Sequence, residues 1–193
     1  PAVGSSVTFH QTNDAQGASF TASIEETARI GNTDIRVGTL DAALPDGYTY
    51  YDVLNSPLSS EDPVSITGPN VLTFGRSAGD YAVTQDVAVG QNNLNLFFPS
   101  QNVAGATGDA GLMTFDDPGL AFESQFALGD SGAPAIVLVN GNLTIVGVNW
   151  FVGSLNEGTI PFSAVTFLPN YQSEIQAYID DNPEVATVPE SSA

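Results

Sequence analysis

Residues 129–139 read Gly129-Asp130-Ser131-Gly132-Ala133-Pro134-Ala135-Ile136-Val137-Leu138-Val139. A cluster of turn formers is followed by an unbroken apolar run, which predicts a buried strand entered through a tight turn. The serine stands between small, flexible residues at the mouth of that strand. Glycines on both sides let the backbone take unusual angles and bring N–H groups close to a substrate carbonyl, as an acyl-transfer nucleophile requires. Gly, Asp and Ser also build ordinary surface turns, so the stretch gains meaning only from what surrounds it.

Working outward, Asn140-Gly141-Asn142 separates this strand from a second apolar run at 143–152. Asn-Gly between two such runs predicts a hairpin. Tyr171, Ile175, Tyr178 and Ile179 recur at helical spacing, which predicts a helix over 171–180 with Asn170 as its N-cap and an end before Pro183. Toward the N-terminus, residues 6–10, 18–24 and 35–40 alternate as strands do, and Pro45-Asp46-Gly47 closes the third. Residues 55–70, with Pro57, Pro63 and Pro69, read as a linker. Strands resume at 71–75, 81–89 and 94–98, and the Gly/Ala-rich stretch 102–111 reads as a loop. Many short strands with one terminal helix predict an all-β protein.

Composition narrows the function. The chain has 193 residues, a net charge of −19, 42% hydrophobic and only 13% charged residues. It is too apolar for a disordered acidic tail and long enough for one sizeable domain or two small ones. Its apolar runs are short and broken, so no membrane-spanning segment is expected. Without cysteine there is neither a disulfide framework nor a thiolate metal site, and one histidine excludes a multi-histidine zinc site. Arg29, Arg36 and Arg76 are the only cations of a chain that lacks lysine. Such a negative surface repels phosphate, so nucleic acid and anionic membrane are not expected partners. The charge suits a secreted or extracellular protein. The pairs Asp116-Asp117 and Asp180-Asp181 lack the alternating spacing of a calcium loop and read as solvated turns. No metal and no cofactor is expected. Residues 182–193 read as a polar tail. Its end, 188–193, faintly resembles the Val-Pro-Glu-Pro start of a bacterial C-terminal sorting signal, which adds cell-surface sorting as an expectation.

Three segments together resemble the trypsin-like (chymotrypsin-fold) serine peptidases, whose nucleophile lies in Gly-Asp-Ser-Gly-Gly-Pro. Gly129–Pro134 matches that stretch with Ala133 in place of the second glycine. Gly147-Val148-Asn149-Trp150-Phe151 resembles the family's Val-Ser-Trp-Gly segment, which pairs with the substrate backbone. Asn32-Thr33-Asp34-Ile35-Arg36-Val37 resembles the strand that supplies the catalytic aspartate. The resemblance implies two antiparallel β-barrels and a C-terminal helix: 1–54 the remainder of a first, incomplete barrel, 55–70 the linker, and 71–181 the second barrel with the helix. It implies Ser131 as nucleophile, the N–H groups of Gly129 and Ser131 as the oxyanion hole, Asp34 as the residue that orients a histidine base, and Asp130 as a brace for the turn. Gln125, Asn149, Trp150 and Phe151 would contact a polypeptide substrate. Gln125 is not acidic, so a preference for Lys or Arg is not implied, and Phe151 stands where open pockets carry Gly.

A serine triad needs an imidazole within hydrogen-bond reach of the serine. The sole candidate is His10, in Val7-Thr8-Phe9-His10-Gln11, a context unlike the family's Thr-Ala-Ala-His. Alternation puts Thr8 and His10 on one face of the strand and Val7 and Phe9 on the other, so His10 reads as a solvent-side residue. The expectation is a chain that lacks the family's N-terminal segment, with the histidine supplied by that segment or by a second chain. Three rivals follow from the same residues: an inactive peptidase-like binding domain; an aspartic peptidase built on Asp130-Ser131-Gly132, which would need a second such aspartate; and a secreted acidic β-domain with a structural or adhesive role.

Overall fold

The computed structural model describes residues 2–12, 17–48, 50–58, 64–65, 70–75, 87–115 and 120–183. Two sheets and one helix account for the described fold. The first sheet holds β1 (Ser6–His10), β2 (Ser19–Arg29) and β3 (Arg36–Leu40) in sequence order, all antiparallel. Phe9 and Phe20 stand opposite each other on β1 and β2, and Tyr48 packs on both, with ring centroids 6.4–6.5 Å apart.

The second sheet takes in β4 (Asp52–Val53), β5 (Val64–Ser65), β6 (Asn70–Gly75), β7 (Ala88–Asn93), β8 (Leu96–Val103), β9 (Ala106–Thr114), β10 (Pro134–Val139), β11 (Asn142–Leu155) and β12 (Ile160–Phe167). Its order is β5-β8-β9-β12-β11-β10-β6-β7, with β4 added in parallel beside β11. One core joins Val71 of β6, Phe97 of β8, Met113 of β9, Val137 of β10, Val146 of β11 and Val165 of β12. Side chains from strands far apart in the sheet order can meet only if the sheet curls on itself, as strand twist favours. Segments 52–53 and 64–65, expected in the first barrel and in the linker, pair with this sheet.

The hairpin expected at Asn140-Gly141 forms, with φ of 51° and 85° at the two residues, the left-handed pair that matches strand twist. The helix is α1 (Gln172–Asp181), entered through a 3-10 turn at Leu168–Tyr171. Asn170 does not cap it. Its amide instead donates to the Leu58 carbonyl and to Asp109 Oδ2, and its Oδ1 accepts from the Leu58 N–H. Of the expected apolar helix face, Ile175 is buried and Ile179 is exposed. The stretch expected as a loop at 102–111 is the β8–β9 hairpin, turning at Ala104-Gly105. Small residues suit this crowded position: a Cβ at Gly111 would stand 2.7 Å from Leu94 Cδ1. Packing against neighbours thereby overrides the weak strand propensity of Gly and Ala. Residues 81–86, Asp116-Asp117 and 184–193 lie outside the described residues. Among those described, no helix is long and apolar enough to cross a membrane.

The two sheets meet where the β2–β3 turn packs on α1. Ile30 and Ile35 bury against Leu168 and Ile175, with Val53, Ile145 and Tyr171 around them. Tyr171 is half-buried and its hydroxyl oxygen accepts from the Asp109 N–H at 2.9 Å. Burial pushes its pKa above the ordinary value, and the carboxylates of Asp109, Glu174 and Asp34 add to that against the opposing Asp109 N–H bond. The folded state therefore holds the phenol proton more tightly than the unfolded chain does. The contribution is fully present below about pH 10 and is lost as pH rises through the folded pKa. Alkaline titration followed by circular dichroism should show stability falling above pH 10, and Tyr171→Phe should flatten that fall. An equally steep loss in the variant would show that another group controls it.

Candidate active site

Ser131 is exposed on the turn that leads into β10. Gly129 (φ 103°) and Gly132 (φ 84°) both take left-handed angles that cost other residues strain. A Cβ at Gly132 would meet nothing within 4 Å, so conformation rather than space demands glycine there. Asn149 of β11 holds the turn from below. Its backbone carbonyl accepts from the Gly132 N–H and its N–H donates to the Ala133 carbonyl, each at 2.9 Å. Its side-chain Nδ2 donates to the carbonyls of Asp130 (3.1 Å) and Phe74 (3.2 Å). Two carbonyl acceptors fix which end of the amide faces them, and Oδ1, also buried, has no hydrogen-bond partner among the described residues.

Asp130 points away from Ser131 into the protein. Its Oδ2 accepts from the Ala127 N–H at 2.8 Å, while its own N–H donates to the Ala127 carbonyl. The carboxylate lies where a Cβ of residue 75 would be: an added Cβ at Gly75 would stand 2.6 Å from its Cγ and both oxygens. Among the described residues, no acceptor takes the N–H of Gly129 or of Ser131. A backbone N–H left without an acceptor can meet a negative charge placed beside it.

A pocket of about 60 Å³ opens beside Ser131. Phe126, Ala127 and Leu128 form one wall and Trp150, Phe151 and Val152 the other, with Asn149 between them. Gln125 is exposed and is not part of these walls, which begin one residue later. Next to the pocket, β11 outlasts its partner. β10 pairs with it only as far as Val148, whereas β12 continues along its other side to Leu155. No described strand covers the vacated edge from Trp150 to Leu155. An edge of this kind can take an extended peptide by main-chain hydrogen bonding.

Asp34 sits in the β2–β3 turn, which is held by the Thr33 side chain (Oγ1 to the Ile30 carbonyl, 2.6 Å) and tied to β9 through the Asn32 carbonyl and Thr107 N–H. Asp34 is exposed, and its Oδ1 accepts from Thr166 Oγ1 at 2.9 Å. Thr166 pairs across the sheet with Val148, the residue before Asn149, so Asp34 and the Ser131 turn belong to one stretch of β11 and β12. The Trp150 ring, Tyr171 hydroxyl and Thr166 methyl converge over Gly108, each 3.6 Å from where its Cβ would lie. His10 is elsewhere. It lies exposed on β1, opposite Ser19, and is not among the pocket walls.

No family model and no curated protein matches this chain. A solved structure that does is the crystal structure of the scabies mite inactivated protease paralogue S-I1. It aligns with a TM-score of 0.52 at 18% identity, over 89% of this chain and 75% of that one. This chain has a chymotrypsin-like fold. At that identity the likeness carries the fold alone. Within the chymotrypsin-like fold, several residues at the site were not foreseen. Thr166, the hydrogen-bond partner of Asp34, carries no signal in sequence, being one buried threonine in an apolar strand. Phe126, Ala127, Leu128 and Val152 had a weak one, since they flank the serine turn and continue the strand after Trp150. Gly75 had none, because only the folded chain brings it against Asp130.

Proposed function

We propose that this chain is a serine endopeptidase-type domain that hydrolyses peptide bonds through an acyl-enzyme at Ser131. The histidine would come from a segment outside these 193 residues or from a second chain. Ser131 Oγ attacks the scissile carbonyl and its proton passes to the supplied imidazole. The carbonyl oxygen, now an anion, is met by the N–H groups of Gly129 and Ser131. Collapse of the tetrahedral species breaks the C–N bond, the amine leaves with the imidazole's proton, and water then hydrolyses the ester. Asp34 would orient the imidazole. The observation that supports this reading is an exposed serine on a turn whose Gly129 and Ser131 N–H groups have no acceptor among the described residues, beside a pocket and a strand edge that no described strand covers.

The test is covalent labelling with a fluorophosphonate. The 193-residue chain should not be labelled at Ser131 over hours, because His10 lies away from the site and no other imidazole exists in the chain. Stoichiometric labelling of Ser131 in this chain would refute the need for an outside histidine.

A second reading is a peptidase-like domain that binds a partner without cleaving it. Two observations favour it: the position of His10, and the inactivated state of the scabies mite protein. It predicts no hydrolysis and no labelling even when the genomically preceding segment is joined to Pro1, whereas the first reading predicts both.

A further inference from the structure

We infer that the pocket beside Ser131 is built for a small aliphatic side chain, alanine or valine, and that Phe151 is the residue that sets this limit. The inference rests on the reading of the site as one that receives polypeptide.

Size argues first. A cavity of roughly 150 Å³ is what accommodates a benzene ring in a protein interior. This pocket holds about 60 Å³ and opens to solvent on one side, so its walls can enclose a methyl or isopropyl group but not a whole phenyl or indole group. Chemistry argues next. Apart from Ser131 and Asn149 every wall residue is apolar, and the Asn149 Nδ2 is committed to two carbonyls. A lysine, arginine, aspartate or glutamate entering here would lose its hydration with no opposite charge in the walls, which is strongly unfavourable. An aliphatic group loses nothing on entry and gains the burial of its own surface.

The pocket is also held at that size. The Phe151 ring meets the Trp150 ring edge-on at a centroid distance of 5.0 Å and the Phe162 ring at 5.9 Å. Phe162 in turn lies against Gly153, where a Cβ would stand 2.6 Å from its ring. Phe151 is thus clamped between two rings, one of them backed by the strand itself, and cannot swing aside as a lone side chain could. The register of β11 shifts between Asn149 and Phe151, and both Trp150 and Phe151 line the pocket.

The experiment uses the chain's single tryptophan, Trp150, which is itself a wall of the pocket. Its fluorescence is titrated with acetyl-Ala-Ala-Pro-X amides in which X is Ala, Val, Phe or Arg. The Ala and Val peptides should bind about tenfold or more tighter than the Phe and Arg peptides, the range a few methylene groups of fit command. Phe151→Ala should raise affinity for the Phe peptide above that for the Ala peptide. Phe151→Leu keeps an apolar contact in the clamp and should fall between the two, which guards against a variant that merely unfolds; circular dichroism checks both. Equal or tighter binding of the Phe or Arg peptide by the unaltered chain would overturn the inference, as would no response to any peptide or an unchanged preference in both variants. Fluorophosphonate labelling of the chain with its preceding segment separates the two claims. Labelling without peptide selectivity sinks the pocket assignment alone. Selectivity without labelling leaves that assignment standing and sinks the catalytic reading.

Discussion

Phe97→Ala should lower the stability of the chain by about 3–5 kcal/mol, the usual cost of emptying a fully enclosed phenylalanine site. Phe97 has no solvent exposure and its ring packs edge-on against Phe167 at 5.5 Å. It belongs to the core that six strands share, so the cavity would lie where the curled sheet closes and no single strand could move in to fill it. Urea unfolding followed by circular dichroism measures the effect as a fall in midpoint at unchanged slope. Phe97→Leu should lose clearly less, because most of the volume is kept. A loss below 1 kcal/mol for the alanine variant would mean that the core lies elsewhere.

The second large effect is expected at Gly75. Its substitution by alanine places a methyl group on the Asp130 carboxylate. Asp130 is short and buried, and it can retreat only by releasing the Ala127 N–H. Overpacking of this sort costs roughly 1–3 kcal/mol, or about 2–12 °C in Tm for a chain of this size. The consequence reaches the site, because Ala127 is a pocket wall and Asp130 is the residue before Ser131. Trp150 fluorescence and peptide titration should therefore change together with Tm. Gly4→Ala is the contrast: it carries the strain of a positive φ (81°), which Gly75 does not have, but its added methyl meets nothing within 4 Å, and it lies far from the turn in sequence. It should lose the conformational cost alone and leave the pocket signal unaltered. If Gly75→Ala matched Gly4→Ala in both readouts, Asp130 would not brace the turn in the way its contacts indicate.

Both variants rest on features that differ in how readable they were beforehand. The Asn140-Gly141 hairpin could be read directly, since two adjacent positions that tolerate positive φ determine a local geometry. The same holds for the alternation in β1 and for the outward place of His10. The 102–111 segment could not be read, because Gly and Ala lack strand propensity and their fit depends on Leu94, Val165 and Phe167, which press on Gly111 from other parts of the chain. Asn170 was a sound cap on local grounds, yet its amide satisfies the Leu58 backbone and Asp109 instead, partners distant in sequence. At the site, Ser131 and its glycines could be located from the turn alone. The Asp34–Thr166 bond and the Gly75–Asp130 contact join residues 132 and 55 positions apart, and no local pattern encodes such pairs.

The edge of β11 that no described strand covers has a consequence for the protein in company with itself. A strand with one side unpaired is a template for any extended chain, including the same strand of a neighbouring copy, and natural sheets usually shield such edges with charge. From Trp150 to Leu155 this edge carries no charged residue, and Val152 on it is 44% exposed. Among the described residues no charge guards it locally, and the molecule as a whole supplies repulsion. With 22 acidic residues against three arginines, copies repel one another over a Debye length of about 8 Å at physiological salt. That shield weakens as carboxylates take up protons or as salt rises. The high negative charge, which says nothing about catalysis, thus works against pairing of this strand edge with a second copy.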